Sequence, residues 1–232
     1  MCESRSAKIH PNRGAAAFAS SDWFLQLQGL RHTSVQMMRA LILILSGALM
    51  AGQTVEYNIR PSSESTFGLD VYKTGLWNGR KHVFFFERYS GDIQYDSERP
   101  ESARVMFVVE AVSMTCRDTW LKPGDRKKVL DYALKDMLVA EKYPQLTFAS
   151  TRITPTSSNH FEATGNLTVR GITKPIIVNV VVTPAGQKLS LDGSAHLRLK
   201  DYGRKPPSAA LGMIGTKDEM LVHFTLLAER QN

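Results

Sequence analysis

The chain has 232 residues, of which 43% are hydrophobic, and 29 basic against 22 acidic side chains give a formal net charge of +7. This composition is ordinary for a globular protein of one large or two small domains, and it excludes an intrinsically disordered chain. The basic residues are scattered and do not cluster with aromatic residues, so nucleic acid is not an expected partner.

The N-terminal part has the pattern of an exported protein. Arg39 precedes an apolar run over residues 40–50, which is short for a bilayer span, and two small residues follow it. A buried helix or a membrane anchor would give a similar run, but strand patterns begin directly after Gln53. Residues 37–52 are therefore predicted to be a signal peptide, and the mature protein is expected to be periplasmic or secreted.

The segment before this signal peptide shows neither helical nor strand periodicity. Because a signal peptide begins near its initiator methionine, we interpret residues 1–36 as a disordered N-terminal extension that is not native to the protein. The folded part is then one domain over residues 53–232. Cys116 is its only cysteine, so we expect a domain without disulfides.

After Gln53 the sequence consists of successive strand patterns with one helical interruption. Turn residues such as glycine, proline and serine separate the runs. Nine runs at this spacing are typical of a β-sandwich or a β-barrel. The predicted strands cover residues 55–60, 65–73, 82–95, 103–114, 146–154, 159–170, 175–183, 188–200 and 217–229.

The interruption is predicted to be one amphipathic helix over residues 125–141. Apolar residues recur there at helical spacing, Asp125 is the expected N-cap, and Pro144 stops the chain soon after the last turn. An antiparallel barrel must close or protect its open edges. We therefore expect the helix to cover one opening or edge of the sheet.

The clearest strand alternation lies in a hairpin over residues 161–182. Gly171 breaks the alternation, and Pro175 is predicted to open the second strand, where a missing N–H removes least from the ladder. The hairpin is therefore predicted to have one apolar face that is buried. The inward residues of its first strand are Phe161, Ala163, Gly165, Leu167 and Val169.

The strand over residues 188–200 has two small residues, Gly193 and Ala195, on its apolar face. They either admit side chains from neighbouring strands or leave room inside. Phenylalanines occupy comparable faces of other strands. The interior is therefore either an apolar tube that holds a ligand or an ordinary solid core, and the pattern fits both.

Five segments follow one another in order after Gln53. They are STFGLDVYKTGLW from Ser65, GDIQYD from Gly91, KYPQLTFAST from Lys142, GNLTVRGITKPI from Gly165, and LRLKDYG followed by KDEMLVHFTL. Together they resemble the YceI-like family of secreted lipid-binding barrels, also called polyisoprenoid-binding proteins. The resemblance covers nearly all of the chain after Gln53.

The resemblance implies a mainly β fold, an extended antiparallel lipocalin-like β-barrel with one amphipathic helix insertion. It implies that the interior holds a long-chain apolar lipid, such as an isoprenoid or a fatty-acid derivative, for a carrier or scavenger. It implies neither catalysis nor a cofactor, and it is compatible with a homodimer. The expected apolar lining is Phe67, Leu69, Val71, Phe107, Phe148, Phe161, Leu167, Val169, Ala195, Leu197 and Phe224.

Lys73, Trp77 and His82 are the candidate polar contacts at the mouth of the barrel. Many relatives have a histidine soon after the first phenylalanine-containing strand, where this chain has Lys73, and its nearest histidine is His82. A histidine at a strand start is otherwise a solvated edge residue, and Trp77 would otherwise pack its turn. Residues 201–219, with two prolines, are expected to form a stiff loop over a barrel end.

An enzyme, or a haem or metal protein built on the same barrel, is the alternative from another functional class. The sequence has no nucleophile elbow, no zinc or paired-cysteine motif and no phosphate-binding glycine loop. Asp118 beside Arg117 is interpreted as a solvated ion pair. A transmembrane barrel would need an apolar outer face, whereas Asp70, Glu110 and Arg198 lie opposite the apolar residues.

Overall fold

Twelve β-strands and one α-helix make up residues 53–231, the part of the chain that the computed structural model describes. The helix α1 (Pro123–Tyr132) continues as a π-helical turn over Ala133–Leu138. The predicted signal peptide and the predicted N-terminal extension lie outside the described residues. The strands are β1 (Val55–Ile59), β2 (Thr66–Gly75), β3 (Lys81–Phe86), β4 (Tyr89–Tyr95), β5 (Arg104–Glu110), β6 (Met114–Cys116), β7 (Gln145–Ser157), β8 (His160–Val169), β9 (Ile172–Ala185), β10 (Lys188–Arg198), β11 (Ser208–Ala209) and β12 (Ile214–Arg230).

Eight strands close into an antiparallel barrel in the order β1, β4, β5, β7, β8, β9, β10 and β12. The long strand β12 makes the closure possible. One of its edges pairs with β10, while the other pairs first with β2 and then, over residues 228–230, with β1. β2, β3 and β6 continue the sheet beyond the barrel. The predicted mainly β, lipocalin-like antiparallel barrel with a helical insertion is confirmed.

The predicted strand over residues 82–95 is two strands in the structure. The chain turns at Glu87 and Arg88, and the buried positions change there from even numbers, ending at Phe86, to odd numbers, beginning at Tyr89. If the strand were continuous, this shift of the alternation by one residue would put the apolar side chains on the opposite face of the sheet. The shift therefore indicates a turn between two strands. No glycine or proline marks this turn in the sequence.

The predicted strand over residues 103–114 is also two strands. A 3-10 turn over Ala111–Ser113 separates β5 from β6. Ser113 Oγ donates a hydrogen bond of 2.7 Å to the Glu110 carbonyl, which replaces a partner that the ladder would have supplied. The chain thereby leaves the barrel and joins the extension of the sheet next to β3.

The helix begins before Asp125, which is not its N-cap. Lys122 is the N-cap, and Pro123 occupies the first turn, where its missing N–H is not needed and its fixed φ suits the helix. The π-helical turn ends at Val139, whose left-handed φ of 50° redirects the chain toward β7. Among residues 53–231, no helix is long and apolar enough to cross a membrane.

β9 begins at Ile172, so Pro175 lies inside this strand, opposite Asn166 of β8. Residues 179–185 of β9 pair with β10, and residues 172–181 pair with β8. Among the described strands, residues 172–178 therefore have a partner on one side only, which is β8. Proline is tolerated on such an edge because the ladder there needs fewer N–H donors. The barrel wall therefore opens between β9 and β10 at one end.

The glycines on the apolar faces admit aromatic rings from neighbouring strands. A Cβ on Gly193 would collide with the ring of Phe224, and a Cβ on Gly165 would lie 2.5 Å from Cζ of Phe148. The Phe224 ring in turn stacks on Phe67, with the ring centroids 6.2 Å apart. The two glycines therefore serve the packing of the barrel wall, which is the first of the two roles considered for Gly193.

Candidate functional site

A cavity of about 510 Å³ lies inside the barrel, a size within the range of small-molecule sites. Its wall is almost entirely hydrocarbon, because the alternating strands turn their apolar side chains inward. Their contact with a ligand stays a prediction. The structure places every residue of the predicted apolar lining at this wall: Phe67, Leu69, Val71, Phe107, Phe148, Phe161, Leu167, Val169, Ala195, Leu197 and Phe224.

The helix α1 and the π-helical turn after it contribute to the same wall. Val129, Ala133, Met137 and Leu138 line the cavity, and three of these four pack against the apolar core of the barrel. Helical spacing puts them on one face of the segment. The helix therefore covers part of the cavity, as expected from its position beside the open sheet edge at β6.

The two ends of the cavity differ in chemistry. The apolar end lies where β9 ends and β10 begins, and the cationic end lies where β2 and β8 end and β9 and β12 begin. The apolar end is lined by aliphatic and aromatic side chains, among them Ile59, Ile153, Phe161, Val178 and Leu189. The polar wall residues of the cationic end are Lys73, His82, Lys128, Arg170, Tyr202, Arg204 and Thr216.

His82 and Asp118 form a buried polar pair at the cationic end, and the half-buried Trp120 packs against this pair. Asp118 is only 1% exposed, its Oδ2 lies 2.6 Å from His82 Nδ1, and its Oδ1 accepts the N–H of Val83 at 2.7 Å. The Trp120 ring stacks on His82 with the centroids 5.4 Å apart. His82 is therefore held in one orientation at the cavity wall and is not a solvated edge residue.

Asp118 and Arg117 do not form the solvated ion pair that their adjacency suggested. Arg117 pairs instead with Glu87, with 2.8 Å between Nη2 and Oε1. Consecutive residues of an extended segment point to opposite faces, so Arg117 reaches the exposed side while Asp118 is buried beside His82. Adjacency in the sequence was the wrong guide to the partner of either residue.

Lys73 is 8% exposed, and its ammonium nitrogen lies 5.3 Å from the centroid of the Trp77 ring. Burial lowers the pKa of Lys73, and the negative charge of Asp118 opposes this shift. Trp77 is 38% exposed and packs edge-on against Trp120. Of the three predicted mouth residues, Lys73 and His82 line the cavity, whereas Trp77 lies outside its wall. Their ligand contacts stay predictions.

A second polar group, which the sequence pattern did not reveal, lies where the wall opens between β9 and β10. Arg170 occupies the turn between β8 and β9 with a φ of 55°, and its Nη1 donates to the Tyr202 carbonyl at 3.2 Å. Tyr202 and Arg204 belong to the segment after β10, whose Gly203 packs near Ile172 at the start of β9. This segment lies at the opening. The predicted loop over residues 201–219 is wrong in its second part, because β11 interrupts it and β12 already begins at Ile214, where it pairs with β2.

The side chains of this second group have donors that other residues do not satisfy. The Nε atoms of Arg170 and Arg204 and the Oη of Tyr202 are buried, and none has a hydrogen-bond partner within residues 53–231. The arginine ion pairs of this part of the chain involve other arginines. Burial and the charge of Arg204 lower the pKa of Arg170, and burial raises the pKa of Tyr202 to about 12.

Within residues 53–231, no three or more His, Cys, Asp and Glu side chains lie close enough together to hold a metal ion. Cys116 is a free thiol. Burial raises its pKa to about 11, so the thiol is protonated at neutral pH and is a weak nucleophile. His82 with Asp118 is thus the main feature of general acid or base type beside the cavity.

The closed barrel, its helical cover and its apolar interior define a lipocalin-like barrel of the kind that encloses small apolar molecules. The chain belongs to the YceI-like family, because the YceI-like domain matches residues 57–228. A UPF0312 protein of Pseudomonas putida (strain GB-1) is 28% identical over 169 residues, which are 69% of this chain and 83% of that protein.

Solved structures have the same barrel. BcnA of Burkholderia cenocepacia superposes with a TM-score of 0.58 at 21% identity, over 71% of this chain and 96% of BcnA. A polyisoprenoid binding domain from Saccharophagus degradans, implicated in plant cell wall breakdown, superposes with a TM-score of 0.53 at 11% identity, over 77% of this chain and all of that domain. At these identities the likeness shows the fold.

Proposed function

We propose that this protein binds a long apolar lipid, such as an isoprenoid or a fatty-acid derivative, inside its barrel and serves as a carrier or scavenger. The observation that carries the proposal is the cavity of about 510 Å³ with its hydrocarbon wall. The family supports it, as does the likeness to a domain described as polyisoprenoid binding. The residues proposed to contact the chain are those of the predicted apolar lining.

The hydrophobic effect is sufficient for such binding. Each buried methylene group contributes about 0.8 kcal/mol, so ten of them contribute about 8 kcal/mol before the loss of motion on binding is subtracted. The wall is built from strands of a closed sheet and needs little ordering. A chain-shaped ligand therefore requires few polar contacts for tight binding, and polar groups at one end serve to orient it.

The direct test is organic extraction of freshly purified protein followed by mass spectrometry. We expect a stoichiometric amount of one or a few long-chain lipids. The protein freed of lipid should then take up a fluorescent fatty acid with a dissociation constant in the micromolar range or below. An extract without lipid, together with no uptake of the fluorescent probe, would refute the proposal.

A pair of neighbouring residues on β9 locates the binding site. Val178 lines the cavity, whereas Ile177 is 52% exposed on the outer face. Val178→Trp should fill the cavity and weaken probe uptake at least tenfold, while Ile177→Trp adds the same ring outside and should leave uptake unchanged. Circular dichroism should show that both variants are folded. Equal uptake by both folded variants would place binding outside the barrel.

We further propose that residues 37–52 direct export and that the mature protein is periplasmic or secreted. The support is the sequence pattern alone. The mass of the protein from a secreting host should correspond to a chain that starts near Gln53, and a product that retains residues 21–36 would contradict the proposal. The homodimer compatible with the family resemblance is tested by light scattering, where a monomer mass would exclude it.

A further inference from the structure

Arg170, Tyr202 and Arg204 bring three buried donors to the cationic end of the cavity and no acceptor for them. Both Nε–H groups and the Tyr202 hydroxyl lack a hydrogen-bond partner in the described residues. All three side chains line the cavity. A buried donor without a partner is costly, and buried polar groups in folded proteins are almost always hydrogen-bonded. Three such donors beside one cavity therefore need an explanation outside packing.

The group is also unusual in its charge. Two guanidinium groups lie near each other where the barrel wall opens, and the one hydrogen bond that either makes through its side chain in the described chain goes to a neutral carbonyl, that of Tyr202. The other polar group of the cationic end is different, because His82 already has the Asp118 carboxylate as its partner. The missing partner of the arginines is thus a negative charge.

We propose that Arg170, Tyr202 and Arg204 bind the anionic head group of the lipid, a carboxylate or a phosphate, whose chain occupies the cavity. This inference rests on the proposed function. Arginine presents a planar fork of donors that matches the oxygens of both anions, and a phenol hydroxyl adds one more donor. The head group then lies at the opening between β9 and β10, and the chain extends toward the apolar end.

The orientation follows from the position of the group within the cavity. The wall of the apolar end is formed by aliphatic and aromatic side chains, with the Tyr95 hydroxyl and no charged group among them. An ionised head group there would lose its hydration without a compensating charge. At the cationic end two positive charges and a hydroxyl replace the water. An anionic lipid therefore enters in one direction, whereas a neutral lipid of the same length gains nothing from the arginines.

The test compares ligands of equal chain length on the full chain freed of lipid. Palmitate and farnesyl phosphate are the anionic probes, hexadecanol and farnesol are their neutral counterparts, and inorganic phosphate tests a free anion. Wild-type protein should bind each anionic probe at least tenfold more tightly than its neutral counterpart. The double variant Arg170→Gln and Arg204→Gln should lose this preference and keep its affinity for the neutral probes.

Lys205→Gln is the matched control, because Lys205 is an exposed positive charge directly after Arg204. It should keep the preference for anionic probes. If the double variant keeps the preference as well, or if wild-type protein shows none, the head-group site is refuted while uptake of the neutral probes still supports the apolar cavity. If no probe of either kind binds, the proposed function fails too.

Tyr202→Phe removes one buried hydroxyl and little else. It should weaken binding of palmitate and farnesyl phosphate severalfold and leave farnesol unaffected, without lowering the melting temperature of the lipid-free protein. Inorganic phosphate should bind far more weakly than farnesyl phosphate. If it binds as tightly, and the arginine variant abolishes this binding, the site belongs to a free anion and the lipid head group is ruled out as its ligand.

Discussion

The apolar end and the cationic end of the cavity are built from the same strands, but different interactions stabilise the side chains that are buried there. At the apolar end, close packing of hydrocarbon is sufficient, and glycines make room for aromatic rings. At the cationic end, polar groups must find partners, and one group has a partner in Asp118 while the other does not. In the proposed function, the apolar end supplies affinity for the lipid chain and the cationic end supplies selectivity for its head group.

The largest expected effect on stability is at the cationic end. Asp118→Ala leaves His82 and the N–H of Val83 without their buried acceptor, so the free energy of unfolding should fall by about 3–5 kcal/mol. Glu87→Ala removes a carboxylate from an exposed ion pair with Arg117 and should cost less than about 1 kcal/mol. Urea denaturation measures both, and similar losses would show that the buried pair has no special role.

The pH dependence of stability tests the burial of Tyr202. Its folded-state pKa is raised from 10.0 to about 12, so the folded protein retains a proton that the unfolded chain loses. Below pH 10 this has no effect, and stability should fall by roughly 2–3 kcal/mol as the pH rises from 10 to 12. Tyr202→Phe should remove this part of the fall. Parallel curves for the two proteins would mean that the hydroxyl is solvated.

Away from the charged groups, steric fit should dominate. Gly193→Ala places a methyl group against the Phe224 ring, and overpacking of this kind costs about 1–3 kcal/mol. Gly124→Ala is the control, because a Cβ there meets nothing within 4 Å and the residue lies in α1, where alanine favours the helix. Thermal unfolding should show a lower melting temperature for the first variant alone.

The smallest expected effect concerns Lys73. Burial lowers its pKa, so the folded state holds the charged ammonium less favourably than the unfolded chain does. Lys73→Met should therefore raise stability near pH 7 by up to about 1 kcal/mol, less the lost contact with Trp77. The gain should shrink as the pH rises through the lowered pKa of the folded state and should vanish above pH 10.5, where the unfolded chain has also lost the proton. A gain that is independent of pH would contradict this explanation.

The apolar part of the site was predictable from the sequence because strand alternation is local. Leu167 and Val169 face inward for the same reason that Thr168 faces outward, and no tertiary contact is needed to infer it. The partner of His82 was not predictable in this way, since Asp118 follows it by 36 residues and meets it only through the register of β3 and β6.

The group of Arg170, Tyr202 and Arg204 was not predictable from the sequence for a related reason. Arg170 and Tyr202 are 32 residues apart, and they meet because β9 and β10 stop pairing before the ends of these strands. The sequence shows strand lengths but not where a ladder ends. The turn at Glu87 and Arg88 was not predictable from the sequence, because polar residues without glycine also occur inside strands. In each case the missing information was a pairing between distant residues.

The unpaired part of β9 also bears on self-association. A strand edge with free N–H and C=O groups is a template on which another chain can add a strand. Pro175 removes one donor from this edge, Lys174 adds a charge, and the segment that contains Gly203 packs against its beginning. The barrel wall thus opens between β9 and β10 without exposing there a flat, regular edge on which identical chains would aggregate.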